Sequence, residues 1–122
     1  MTAKQLASAI AQELTDKRGL DIRVLDLSDI RSFTDYFVIA SATSDRHAQS
    51  LAEAASDAAR HLGERPLGIE GQQTGRWILI DLGEVVVHVF QRDAREFYGL
   101  ERLWGEAESL DWPLAAAAGE RG

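Results

Sequence analysis

Trp77-Ile78-Leu79-Ile80-Asp81, Leu82-Gly83, and Glu84-Val85-Val86-Val87-His88-Val89-Phe90 form the most strongly patterned part of this chain. Two runs rich in β-branched and aromatic residues flank a two-residue connection containing glycine. That pattern predicts a β-hairpin with its turn at Leu82-Gly83. The second arm is apolar at both odd and even positions. A strand that is apolar on both faces belongs in the middle of a sheet covered on both sides.

Upstream, Tyr36-Phe37-Val38-Ile39-Ala40 repeats that character and predicts a second central strand. Ile22 to Leu27 reads as a further strand, and Pro66 to Glu70 has room for a short one. Ala3, Leu6, Ala7, Ile10 and Leu14 recur at helical spacing, with Thr2 and Gln5 placed as a capping box and Gly19 as the stop. Ser44 caps a second helix whose stripe is Ala48, Leu51, Ala52, Ala55, Ala59 and Leu62, closed by Gly63. Asp93 and Glu96 have capping-box spacing ahead of a third helix carrying Phe97, Leu100, Leu103 and Trp104, with Phe97 and Leu100 expected in the core. The order α, β, β, α, β, β, β, α predicts a single layered α/β domain over residues 1–110, with a mixed sheet of about five strands and helices packed on it. Residues 111–122, with Pro113 and an alanine run, are expected to form a flexible tail.

Composition narrows the function. The 122 residues include no cysteine, which removes disulfides, thiolate metal sites and a cysteine nucleophile. No apolar run is long enough to span a bilayer, and the N-terminus has no signal-peptide pattern, so a soluble cytoplasmic protein is expected. Formal net charge is -7, and residues 64–111 carry twice as many acids as bases. Nucleic-acid binding rests on basic patches, and none is visible along the chain. A basic protein is the better electrostatic complement.

Catalytic signatures are missing. His47 and His61 lie on one helix, about 21 Å apart at 1.5 Å per residue, too far to share a metal. His88 lies in an apolar strand and is expected to bond a neighbouring carboxylate. There is no Walker loop, dinucleotide fingerprint or nucleophile elbow. The acids at 21, 26, 29 and 35 do not show the convergence that metal-dependent phosphoryl transfer requires. Trp77 beside Arg76, and Tyr98 and Trp104 among Arg95, Glu101 and Arg102, stand out instead. Trp, Tyr and Arg are the residues most enriched at binding hot spots, so a non-enzymatic binding module with an acidic and aromatic face is the reading the residues favour.

Three segments then become recognisable: SFTDYFVIASATSDRHAQSLAEA (32–54), IEGQQTGRWILIDLGEVVVHVF (69–90) and REFYGLERLW (95–104). Their order and spacing resemble the ribosomal silencing factor (Iojap-related) family from about residue 5 to 106. The resemblance implies a nucleotidyltransferase-like fold without the catalytic signature, no cofactor and no metal. It further implies a translational repressor that binds the large ribosomal subunit through ribosomal protein L-fourteen and blocks joining of the small subunit when nutrients are short. Free members of the family resemble homodimers. Carried onto this chain, the family's partner-binding positions match Trp77, Tyr98, Leu100, Glu101 and Trp104, with Glu70, Gly71 and Arg95 also at family positions. Two rival readings are a divergent metal-dependent nucleotidyltransferase using Asp26, Asp81 or other carboxylates, and a homodimeric adaptor with no ribosomal role.

Overall fold

A computed structural model describes residues 1–30, 34–105 and 108–110. Helix α1 spans Ala3–Asp16, β1 Leu20–Asp26, β2 Tyr36–Ala42, α2 Asp45–His61, β3 Gly68–Glu70, β4 Trp77–Asp81, β5 Val85–Gln91, α3 Arg92–Tyr98, α4 Leu100–Leu103 and β6 Glu108–Leu110. The strands form one mixed sheet in the order β3-β4-β5-β2-β1-β6. The two strands that read as apolar on both faces, β2 and β5, are its centre. They pair in parallel, Tyr36 opposite Val85 through Ala42 opposite Gln91, while every other pair is antiparallel. This is the layered α/β architecture expected, with one strand more. β6 pairs with β1, and its three residues are too few to carry a strand pattern of their own. The expected tail, residues 111–122, lies outside the described residues.

One sheet face is closed by α1 and α2. Leu6, Ile10 and Leu14 of α1 and Ala48, Leu51, Ala52, Ala55 and Ala59 of α2 pack on Val38, Ala40, Ile78, Ile80, Val87 and Val89. Alanine on α2 lets the helix approach the sheet closely. Each fully buried Leu or Ile there contributes roughly 1.5–3 kcal/mol over its exposed state. The Thr2–Gln5 capping box forms, with Gln5 N–H donating to Thr2 Oγ1 at 3.1 Å and Thr2 N–H to Gln5 Oε1 at 2.8 Å. Ser44 caps α2 through His47 N–H at 3.0 Å.

Several local expectations are corrected. The hairpin turn is Gly83-Glu84, one residue later than predicted. Trp77 pairs with Phe90 and Asp81 with Val86, and Leu82 N–H donates to Val85 O at 2.9 Å. Gly83, at the first turn position, has φ of 86°, a conformation that glycine adopts without a Cβ penalty. Past α1 the left-handed residue is Arg18, not Gly19. Asp93 does not cap α3: Gln91 occupies that position without a side-chain capping bond, and Asp93 pairs with Arg76 at 3.1 Å instead. The expected third helix breaks at Gly99 (φ 60°) into α3 and α4. That break turns Phe97 out of the core, while Leu100 remains buried as expected.

Candidate functional site

The second sheet face is aromatic. Trp77 on β4 and Phe90 on β5 are register partners, so their side chains leave the same side of the sheet. Their rings stack at 4.9 Å, and Tyr98 from α3 lies 4.7 Å from Trp77. Phe37 on β2 meets His88 edge-on at 4.6 Å and Trp104 at 5.6 Å. Leu100 plugs the same layer, with Trp77 and Trp104 half-buried against it. Both tryptophans therefore serve the core with one edge and keep another accessible.

His88 does not meet a carboxylate. Its Nδ1 accepts the indole N–H of Trp77 at 3.1 Å, and burial lowers its pKa to about 4. The ring is a neutral acceptor that fixes the Trp77 indole, a role the strand pattern did not reveal. Gly71 acts on the same residue from behind. A Cβ there would lie 2.0 Å from the Trp77 carbonyl oxygen, and its φ is 84°. Gly71 thus allows the close approach that positions β4. Glu70 ends β3 opposite Leu79, exposed at the sheet edge on the aromatic side.

Arg95 and Glu101 form a second unit. Arg95 Nε and Nη2 donate to the two Glu101 carboxylate oxygens at 2.8 and 3.2 Å. Its Nη1 donates to the Asp21 carbonyl at 2.7 Å and to Ser41 Oγ at 2.8 Å. Arg23 adds a contact to Glu101 at 3.2 Å. Hydrogen bonding from Arg95 is the main reason the Glu101 carboxyl is held below its ordinary pKa. Arg95 and Glu101 are thereby a latch that fixes α4 to α3 and to the sheet.

What reaches solvent is apolar. Phe97 is 79% exposed, Leu103 77% and Tyr98 45%. Phe97 contacts Tyr98 edge-on at 5.2 Å. The break at Gly99 is what brings these groups to the surface beside the two half-buried tryptophans. The sequence reading named Tyr98, Trp77 and Trp104. It missed Phe97 and Leu103, whose helical period is that of core residues. Elsewhere, Asp26 accepts the Ser28 N–H at 2.9 Å and Asp81 the Gly83 N–H at 2.8 Å, so each serves its own turn. Among the described residues no group of three or more His, Asp or Glu comes together as a metal site.

The family model for ribosomal silencing factor during starvation matches residues 1–121. The chain belongs to the ribosomal silencing factor family. It is 41% identical over 111 residues to the Bacillus subtilis ribosomal silencing factor RsfS, covering 91% of this chain and 94% of that protein. It is 36% identical over 110 residues to the mouse mitochondrial assembly of ribosomal large subunit protein 1, covering 88% of this chain and 48% of that longer protein. The fold agrees with a Chromobacterium violaceum crystal structure at a TM-score of 0.83 and 33% identity, covering 86% of this chain and 88% of that one. Membership in this family supports translation regulation and ribosome association. None of the described helices is long and apolar enough to cross a membrane.

Proposed function

We propose that this chain silences translation by docking on the large ribosomal subunit, through ribosomal protein L-fourteen, and standing where the small subunit must approach. The observation that carries the reading is the exposed Phe97, Tyr98 and Leu103 beside half-buried Trp77 and Trp104. Large apolar side chains grouped at the surface mark interaction sites. Rigid aromatic anchors supply most of the affinity at such sites, with little ordering cost. An interface of standard size takes about 800 Å² from each partner, which a domain this small can provide. The net charge of -7 speeds encounter with a cationic protein at a particle of anionic RNA.

Within this reading Trp77, Phe97, Tyr98, Leu103 and Trp104 make the contact. Leu100, Gly71, Arg95 and Glu101 hold those side chains in place, and Glu70 adds negative charge at the edge. The protein acts in the cytoplasm, where subunits join. The mechanism is exclusion of volume and needs neither cofactor nor bond-making. The same patch suits self-association of the free protein as a homodimer. Light scattering with and without the ribosomal partner separates the two uses.

The test measures binding of purified large subunits by wild type and by Trp77→Ala/Tyr98→Ala, with subunit joining followed on sucrose gradients. The double variant is expected to bind at least tenfold more weakly and to leave joining unimpeded. Equal binding by both proteins sinks the site assignment. A wild type that binds yet permits joining sinks the mechanism.

A further inference from the structure

The aromatic patch is not the whole of the surface built by α3 and α4. Their other flank, together with the start of β1, lines an open cleft of about 800 Å³. Four arginines meet there: Arg23, Arg92, Arg95 and Arg102. Arg92 and Arg95 come from α3, Arg102 from α4 and Arg23 from β1, spaced among acids so that no basic run announced them. Three carboxylates, Asp21, Glu96 and Glu101, share the cleft. Among the described residues its local balance is therefore positive, on a chain whose formal net charge is -7.

The four guanidiniums divide by function. Arg95 is the floor: its side chain is 11% exposed, and its bonds to Glu101, Asp21 and Ser41 are already made. Asp21 sits at a positive φ of 48° within the register shift of β1, and its carbonyl is one that Arg95 holds. Such irregularities re-aim the side chains that follow, here Arg23, which closes on Glu101. Arg92 and Arg102 are different. Among the described residues neither side chain has a hydrogen bond or an ion pair. Their planar forks have donors to spare, in the geometry that matches phosphate oxygens.

We infer that this cleft takes a phosphate of the RNA backbone, with Arg92 and Arg102 as its contacts and Arg95 as the fixed support. The inference rests on the docking reading above, since it needs RNA beside the docked protein. Three features of the cleft favour RNA over a free nucleotide. The cleft is open, it has no aromatic platform for a base among its described lining residues, and it shares α3 and α4 with the apolar patch. At physiological salt the Debye length is about 8 Å. A phosphate in the cleft therefore feels these arginines more than the distant acids. Glu96 keeps the affinity modest, which suits a contact that adds register and orientation to a protein-led interface. The contact carries no base sequence.

The test titrates the full chain with a labelled single-stranded RNA of mixed sequence and about 15 nucleotides, and separately with ATP and inorganic phosphate, over a range of salt concentrations. Wild type is expected to bind the RNA, with affinity falling as salt rises. Arg92→Ala/Arg102→Ala should bind about tenfold more weakly, with its log–log salt slope reduced by about 1 to 2. Arg92→Lys/Arg102→Lys should keep most of the salt slope. Trp77→Ala/Tyr98→Ala should bind RNA as wild type does while losing the subunit, which separates this cleft from the docking patch. No RNA binding by wild type, or equal binding by the arginine-to-alanine variant, overturns the inference. ATP or phosphate binding as tightly as RNA at the same arginines overturns the assignment to backbone RNA.

Discussion

Beneath α1 and α2 the sheet is sealed by alanine and branched aliphatics. On the other side it presents Phe37, Trp77, His88 and Phe90 to the eleven residues of α3 and α4, and much of that cover is itself exposed. The first face is a filled volume in which every side chain has apolar neighbours. The second is a rigid aromatic layer left partly open. The difference teaches how one small sheet holds itself together and still offers a partner something to grip: stability is concentrated on one side and contact surface on the other.

The sharpest way to break that comparison is to empty the filled side. Leu51→Ala, at a fully buried position under α2, is expected to cost about 3 kcal/mol or more in urea unfolding. Subunit binding per folded molecule should be unchanged at temperatures well below the transition. A loss of binding in the folded fraction would show that the two faces are coupled.

Acid tests the aromatic side. His88 is held neutral, with a pKa of about 4 against 6.5 for an ordinary histidine. Between those values the unfolded chain binds a proton that the folded chain excludes. Stability is therefore complete above about pH 6.5 and is lost as pH falls towards about 4. The expected loss is about 2 kcal/mol from about pH 7 to about pH 5, measured as a falling urea midpoint. His88→Leu should flatten that slope. An equally steep slope in His88→Leu would place the titrating group elsewhere. The depressed carboxyl of Glu101 adds a further loss, below its ordinary value of 4.5.

The smallest effect on folding should come from the exposed rim. Phe97→Ser with Leu103→Ser removes two groups that are more than three-quarters exposed. Stability should move by no more than about 0.5 kcal/mol, whereas affinity for the large subunit should fall about tenfold. A large drop in the urea midpoint would mean that these residues belong to the packed layer after all.

Much of the fold was legible because its signals are local. The hairpin, the doubly apolar β2, the Thr2–Gln5 box and the alanine stripe of α2 each lie within a short window, where alternation or helical period reports burial directly. The aromatic site was legible in part. Trp77, Tyr98 and Trp104 stood out by type, but Phe97 and Leu103 carry the same helical period as Leu100. Only the left-handed turn at Gly99 separates an outward pair from a buried anchor.

By itself the sequence determined the elements, the two central strands and the family, since these depend on residue types at fixed spacing. Tertiary structure alone decided three things. His88 meets an indole rather than a carboxylate, Arg95 latches Glu101 to a carbonyl of β1, and Arg23 of β1 joins the three arginines of α3 and α4 in one cleft. The physical reason is the same in each case. Which polar groups meet across a sheet depends on strand order, on the register shift in β1 and on the kink between α3 and α4. None of these is encoded in the spacing of neighbouring residues.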